Sequence, residues 1–304
     1  AAVSSLLLYL SWAGPSASYG WGAPLSLALL GASVVFTALF VLVESRVAEP
    51  ILPLRLFSSR VFSWTALYAT IMGLAMFGAI IFMPIYLQVV QGFSPTKSGL
   101  ALLPMVLGLF ATSISAGQVM SRTGRYKIFP ILSSVVTAGA LLLLSTLSTD
   151  TPYWTVGLFV FVLGAGLGLS MQIVITAVQN DVDRRDLGAA TSGVTFFRSL
   201  GGAIGVALFG AVLNSRLTHY LSAAGGAAQS GGNESNLANN VRAIRALPSE
   251  AKIVVVDAWT KALHDVFLTA VPFLVLAFVA ALLVPEKRLG TREDAAEPQL
   301  TLAE

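Results

Sequence analysis

The chain has 304 residues; 56% of them are Ala, Val, Ile, Leu, Met, Phe, Trp or Tyr, and 27 more are glycine. Charged residues make up 11%, less than half of the roughly 25% in an average soluble domain. So few charges exclude a water-soluble globular protein, and the apolar content excludes disorder for most of the chain. The net charge of +3 and the lack of cysteine give no sign of nucleic-acid binding, disulfides or a thiolate metal site.

Residues 1–13 are apolar but too few to cross a bilayer, because a spanning helix needs about 20 mostly apolar residues. A signal peptide would need an initiating Met and a basic first segment, and neither is present. We therefore expect the end of a helix whose start is missing, in a chain that is a fragment of a longer protein.

Seven further stretches are long enough and poor enough in charge to span a membrane. They are residues 24–43, 62–90, 98–121, 126–147, 153–178, 191–214 and 262–285. The sequence therefore predicts an all-α membrane protein in which two hydrophobic segments within 1–43 precede a six-helix transmembrane domain, 62–285.

Basic residues concentrate in every second connection between these helices. This set comprises Arg46, Arg55, Arg60, Arg122, Arg125, Lys127, Arg184, Arg185, Arg198, Lys287, Arg288 and Arg292, which is 12 of the 18 Lys and Arg residues. The short connections on the other side hold Lys97 alone. Because short cytoplasmic loops are enriched in Lys and Arg, we predict that the first set and the C-terminus are cytoplasmic.

Three segments lie outside the predicted helices. Residues 44–61 form a cytoplasmic linker, in which Pro50 and Pro53 prevent a continuous helix and apolar residues favour an interfacial position. Residues 215–261 form the one long extracytoplasmic loop, rich in Gly, Ala and Ser at its start. Residues 286–304 form a polar cytoplasmic tail.

The loop after the second helix of the block carries a motif. Its members are Gly117, Ser121, Arg122, Gly124, Arg125 and Lys127. It resembles the Gly-x-x-x-Asp-Arg-x-Gly-Arg-Arg/Lys loop of the major facilitator superfamily. The segments Glu44–Phe57, Phe82–Gln88, Gly92–Pro95, Gly99–Pro104, Leu187–Gly193 and Arg198–Leu208 are similar to those of the fourteen-helix drug:proton antiporters.

This resemblance implies a multidrug efflux transporter of the cell membrane, of which the chain is the C-terminal portion. Residues 1–43 would hold the end of one helix and one complete central helix, and 62–285 the C-terminal six-helix bundle. The implied partners are the lipid bilayer, a lipophilic small molecule and protons carried by the missing N-terminal half; no cofactor is implied. Ser121 replaces the usual Asp, so this copy of the loop lacks the carboxylate of the motif's charge relay.

In such a transporter the first and fourth helices of each half line a central cavity. The candidates on 62–90 and 153–178 are Met72, Met76, Tyr86, Gln88, Met171 and Gln172. Flexible methionines with an aromatic residue re-pack around varied apolar ligands, and a buried amide needs a partner. A methionine stripe that faces lipid or packs inside the bundle is the alternative interpretation.

Arg198 is predicted one to two turns inside the helix 191–214. It either reaches back to the cytoplasmic interface or pairs with Asp181, Asp183 or Asp186 as an inner gate. The Arg122, Arg125 and Lys127 loop has the same two interpretations, a topology anchor and a gate.

Two Gly-x-x-x-Gly pairs, Gly164/Gly168 and Gly201/Gly205, predict close helix packing, because small residues let membrane helices approach. Sliding between the two halves of a transporter is a functional extension of this packing.

Other functions are less compatible with the sequence. His219 and His264 are both predicted on the outer side, and no zinc-protease motif, serine nucleophile elbow or channel filter is present. Transport of a sugar or organic anion, or a non-transporting membrane protein, remains open. An anion carrier would need basic residues deep in the bundle, and the sequence predicts none at mid-membrane.

Overall fold

The computed structural model describes residues 2–12, 22–47, 50, 52–223, 244 and 248–286, and its regular elements there are all helical. The helices are α1 (Ala2–Trp12), α2 (Pro24–Glu44), α3 (Arg60–Val89), α4 (Pro95–Leu100), α5 (Leu103–Thr123), α6 (Ile128–Leu144), α7 (Tyr153–Met171), α8 (Ile173–Gln179), α9 (Leu187–Ala223) and α10 (Ser249–Leu283). Short 3₁₀ segments precede α3 at Leu54–Ser58 and α9 at Arg184–Asp186.

Six helical stretches of this structure are long and apolar enough to cross a membrane. They are Pro24–Glu44, Arg60–Val89, Pro95–Thr123, Tyr153–Gln179, Arg184–Ala223 and Ala251–Leu283. Helix α6 is apolar but shorter, with 17 residues. The prediction of an all-α, multi-span membrane protein is confirmed, and each predicted span corresponds to a helix or to a pair of consecutive helices.

Two predicted spans are interrupted. The span predicted at 98–121 consists of α4 and α5, and Pro104 lies in the first turn of α5, where a helix does not need a backbone N–H donor. The span predicted at 153–178 consists of α7 and α8, which are separated at Gln172.

The last two helices are longer than the apolar stretches that predicted them. Helix α9 has 37 residues and α10 has 35, or about 50 Å each, against a hydrocarbon core of about 30 Å. The connection between α9 and α10 is therefore shorter than the predicted loop 215–261. A charged residue ends an apolar stretch of sequence, but it does not end a helix. Most of its remainder (224–243 and 245–247), and the tail 287–304, lie outside the described residues.

Helix α3 lies at the centre of the bundle, where it packs against both α9 and α10. Helix α7 packs against α5 and α6, and α6 completes the bundle by contacting α10. The hairpin of α1 and α2 joins the bundle through α1, which contacts α9. Two thirds of the apolar stretch of α3 is buried, whereas α2 exposes most of its apolar side chains.

Helices α3 and α9 meet with their backbones almost in contact. A Cβ atom at Gly201 would lie 1.8 Å from the carbonyl oxygen of Thr70, and one at Gly205 would lie 2.6 Å from that of Leu74. Real Cβ atoms do not approach carbonyl oxygens so closely, so glycine is required for this helix spacing.

Helices α5 and α7 use the second glycine pair in the same way. A Cβ atom at Gly164 would lie 2.0 Å from the carbonyl oxygen of Met105, and one at Gly168 would lie 2.2 Å from that of Leu109. Both pairs that the sequence singled out therefore lie at close helix–helix crossings.

We predict that Gly201→Ala destabilises the bundle, because its new methyl group overlaps the Thr70 backbone and forces α9 away from α3. Such overpacking costs about 1–3 kcal/mol or more. Thermal unfolding in detergent would show a lower midpoint than wild type. Gly210→Ala is the matched control, since a Cβ at this position of the same helix meets no atom within 4 Å; equal midpoints for the two variants would contradict the prediction.

Candidate functional site

A pocket lies where α3, the α7–α8 segment and α9 meet. Its lining consists of Tyr68, Ala69, Met72, Met76, Leu167, Ser170, Met171, Val174, Val194 and Arg198. Three of the six predicted cavity residues, Met72, Met76 and Met171, come together here. Arg198, predicted as a gating residue, lines the same pocket.

The helix interruption at Gln172 lies directly beside this pocket. Ser170 and Met171, the last residues of α7, line the pocket, and so does Val174 in the first turn of α8. The glycine-rich sequence of α7 lets neighbouring backbones approach closely up to this point. The interruption is one residue long and Gln172 keeps a right-handed helical backbone (φ −87°, ψ −33°), so Tyr153–Gln179 remains one helical stretch beside the pocket.

The other predicted cavity residues lie elsewhere. Tyr86 is buried near the opposite end of α3, where its hydroxyl donates to the carbonyl oxygen of Ser148 at 3.0 Å. Gln91 donates to the Thr151 carbonyl at 2.9 Å in the same region, so both residues fix α3 to the α6–α7 connection. Gln88 is half-buried further along α3, and Gln172 is exposed at the helix interruption.

Arg198 lies much deeper than the sequence predicted. Helix α9 begins at Leu187, so Arg198 is eleven residues, or about three turns, from its start. A Cβ atom at Gly73 would lie 2.0 Å from the Arg198 carbonyl oxygen. Gly73 is about 20 Å along α3 from Arg60, near the middle of that helix. Arg198 therefore lies about three turns inside its helix and not the predicted one to two, because the helix begins before its apolar stretch.

Two of the aspartates proposed as gate partners instead hold the linker against the bundle. Asp186 is largely buried and forms an ion pair with Arg55 at 2.6 Å. Asp181 accepts a hydrogen bond from the hydroxyl of Ser59, the residue that caps the start of α3. The linker is thereby joined to the connection between α8 and α9.

The third aspartate, Asp183, pairs with Arg185 at 3.3 Å on an exposed surface. None of the ion pairs formed among the described residues involves Arg198. The guanidinium of Arg198 is half-buried in the pocket without a carboxylate from this part of the chain.

The basic loop motif lies at the end of α5. Gly124 has a φ of 66° and ends the helix in the left-handed region, which explains the glycine of the motif. The Ser121 hydroxyl donates to the carbonyl oxygen of Gln118, so it makes a local contact within its own helix. A Cβ atom at Gly117 would meet no atom within 4 Å, so this glycine is not required by packing. Arg122 and Arg125 are exposed, and Lys127 is half-buried.

Tyr126 is a residue of this loop that the sequence reasoning missed. Its ring is fully buried and its hydroxyl donates to the carbonyl oxygen of Pro285 at 2.7 Å, just beyond the end of α10. An aromatic residue between two basic ones at a helix end is typical of a membrane-interface anchor, and this signal was available in the sequence.

A second polar cluster lies towards the far ends of the two long helices. Asp265 of α10 accepts from the hydroxyl of Tyr220 at 2.9 Å and pairs with Arg216 of α9 at 3.3 Å. In the part of the chain that the structure describes, no group of three or more His, Asp or Glu residues is arranged to hold a metal ion. The methionine pocket with its arginine is the candidate binding site because it gathers four of the predicted site residues, Met72, Met76, Met171 and Arg198.

These membrane-capable helices, packed around a pocket of mainly apolar side chains and one arginine, define a multi-span membrane protein. The family model of the Major Facilitator Superfamily matches residues 1–206, and the chain belongs to this superfamily.

Two of the similar proteins are named as transporters. An uncharacterized MFS-type transporter of Mycobacterium tuberculosis is 42% identical over 296 residues, which cover 97% of this chain and 42% of the relative. The multidrug transporter protein MdtP of Bacillus subtilis is 39% identical over 220 residues, covering 72% of this chain and 40% of the relative. The chain spans about two fifths of the length of these two curated relatives.

A crystal structure of a bacterial homolog of the human lysosomal transporter Spinster, in an inward-facing and occupied conformation, shares the fold. Its TM-score is 0.56 at 18% identity, and the match covers 86% of this chain and 57% of the Spinster homolog.

We predict that the Arg55–Asp186 pair contributes a measurable coupling energy. A double-mutant cycle with alanine at both positions should give about 0.5–1 kcal/mol, because Asp186 is largely buried while the Arg55 side chain is 57% exposed. Thermal unfolding of the four proteins in detergent measures it. The exposed Arg185–Asp183 pair is the control, with an expected coupling near zero; equal couplings would contradict a role for burial.

Proposed function

We propose that the chain is the C-terminal portion of a fourteen-helix drug:proton antiporter, which exports lipophilic small molecules by alternating access. The observation that carries this proposal is the pocket of Met72, Met76 and Met171 beside the helix interruption at Gln172. The relatives named as multidrug transporters support it, as does the tetracycline resistance determinant of Streptomyces rimosus, 34% identical over 197 residues that cover 64% of this chain and 57% of the relative.

The pocket suits ligands of varied shape. Methionine side chains are unbranched and polarisable, so three of them re-pack around different apolar surfaces at low cost. Glycine contacts hold α3 close to α9 on one side of the pocket, and the turn at Gln172 lies beside the pocket. In the whole transporter, the remaining half would close the open side of this pocket and rock against it.

The proposed topology places both ends of the six-helix domain 62–285 in the cytoplasm of a plasma-membrane protein. Residues 1–43 then hold the end of one helix and one central helix, 44–61 the cytoplasmic linker, and 286–304 the cytoplasmic tail. The ends of α9 and α10 that lead towards 224–248 project on the outer side. The ion pair of Arg55 with Asp186 supports this assignment, since it fixes the linker to one end of the bundle.

The acidic residues of the chain support proton transfer through the other half of the protein. Residues 62–149 and 151–180 contain no Asp or Glu. Glu44 accepts a hydrogen bond from the backbone N–H of Leu52, and Asp265 is held by Arg216 and Tyr220. Both carboxylates therefore have structural partners and lie outside the methionine pocket.

We predict that Met76→Ala lowers the efflux of several lipophilic dyes and antibiotics about threefold or more, because it removes adaptable apolar contact from the pocket. Efflux would be measured with the full-length protein in cells that lack other pumps, at matched expression. Leu107→Ala is the control, since Leu107 is 64% exposed on the outer face of α5. The proposal fails if the two variants behave alike, or if the wild-type protein exports no member of the panel.

We predict that Asp265→Asn retains proton-driven efflux, because this side chain acts by holding Arg216 and Tyr220, and an amide oxygen still accepts from Tyr220. In vesicles with an imposed pH gradient, the dependence of dye export on that gradient should match wild type within about twofold. Loss of the dependence with dye binding intact would place a proton carrier in this half of the protein.

A further inference from the structure

We propose that Arg198 binds the anionic group of the substrate, so that the methionine pocket selects amphipathic anions. The inference rests on the proposed export function and specifies its substrate class. It changes the role expected for Arg198 from a cytoplasmic gate to a specificity-determining residue.

The chemistry of the lining supports a single negative charge. Arg198 is the only charged member of the pocket as the described residues form it, and no acidic side chain lines it. The hydroxyl of Tyr68 donates to the Pro130 carbonyl at 3.1 Å, and that of Ser170 donates to the Leu167 carbonyl at 3.3 Å. The hydroxyl groups of Tyr68 and Ser170 are thus engaged within the bundle. The guanidinium of Arg198 is then the group in the lining that can bind an anion.

The depth of Arg198 makes a negatively charged ligand favourable. Its backbone contacts Gly73 near the middle of α3. The Arg198 side chain is therefore attached far from the linker end of α3. A basic side chain within a spanning segment is costly in a membrane, so it faces the bundle interior or a water-filled cavity and marks a candidate substrate site. Asp181 and Asp186 bind Ser59 and Arg55 instead, at the cytoplasmic end of the bundle.

The size of the pocket limits which part of a ligand it takes. Its volume is about 30 Å³, compared with about 10–15 Å³ needed to hold one water molecule. This space accommodates a carboxylate or a similar small group, and a complete drug-sized molecule does not fit. The lipophilic remainder of the ligand would then lie along Met76, which is half-buried, and Met171, which is exposed.

A planar guanidinium also suits this role better than an ammonium. Arginine offers parallel N–H donors that bind a carboxylate in a bidentate manner, and it keeps its charge when half-buried. Lysine at position 198 would retain the charge but lose the paired N–H donors. The affinity for an anion therefore distinguishes the Arg198→Lys variant from wild type.

The test compares two dyes that share a xanthene ring, anionic fluorescein and a cationic rhodamine ester. The full-length protein is reconstituted in vesicles of phosphatidylcholine, and export is measured for wild type, Arg198→Gln and Arg198→Lys. We expect Arg198→Gln to raise the KM for fluorescein about tenfold or more, with the KM for rhodamine changed less than about twofold. Arg198→Lys should lie between wild type and Arg198→Gln for fluorescein.

Arg46→Gln is the control for the loss of one positive charge, because Arg46 is an exposed residue of the linker. An equal loss for both dyes in Arg198→Gln would overturn the inference and assign Arg198 to an ion pair with another part of the protein. An effect on fluorescein that appears only when anionic lipid is added would assign the site to a lipid headgroup, and would also overturn it.

Fluorescence anisotropy of fluorescein bound to the detergent-purified proteins separates this inference from the proposed function. If the wild-type protein exports neither dye, the export function fails; tighter binding of fluorescein to wild type than to Arg198→Gln still supports the anion site, and equal binding overturns it. Thermal unfolding of Arg198→Lys confirms that the comparison uses a folded variant.

Discussion

The close contact between α3 and α9 is the constraint on which the rest of the bundle depends. Without a hydrophobic effect to bring helices together in a membrane, close backbone packing must supply the attraction. Gly201 and Gly205 allow α9 to lie directly on the carbonyl groups of α3. This contact fixes the rotation of α9, and therefore determines that Arg198, three residues before Gly201, lines a pocket with Met72 of α3.

The α7–α8 segment forms the second wall of the same pocket. Gly164 and Gly168 hold α7 close to α5, so this helix is firmly placed up to Met171. Beyond the interruption at Gln172, α8 continues for only seven residues. The α3–α9 wall and the α7 wall are thus each held by a pair of glycines, and together they position the pocket.

The spans were predictable from sequence because hydrocarbon excludes charge over a known length, and long charge-free stretches are rare by chance. The glycine pairs were predictable because residues four apart lie on one face of a helix, where small side chains allow a neighbouring helix to approach closely. The depth of Arg198 was not, since it depends on where α9 begins, and this helix continues through Gly188, Thr191 and Ser192 despite their lower helix propensity. Tyr86 was assigned to the cavity because it shares a helix face with Met72, but α3 is long enough that one face meets several neighbours.

The ion pairs of Asp186 and Asp265 lie towards the two ends of the bundle, and Arg198 lies between them. The carboxylates of Asp186 and Asp181 bind linker residues at one end of the bundle, and Asp265 binds Arg216 and Tyr220 towards the other. These three aspartates are thus engaged by contacts within the chain. Between them, polar side chains that pair with backbone carbonyls carry no net charge, and Arg198 alone brings a formal charge to the pocket. Arg198 has no ion-pair partner among the described residues, and a charge buried within a spanning segment costs folding free energy. An anionic ligand in the pocket accounts for its presence most directly.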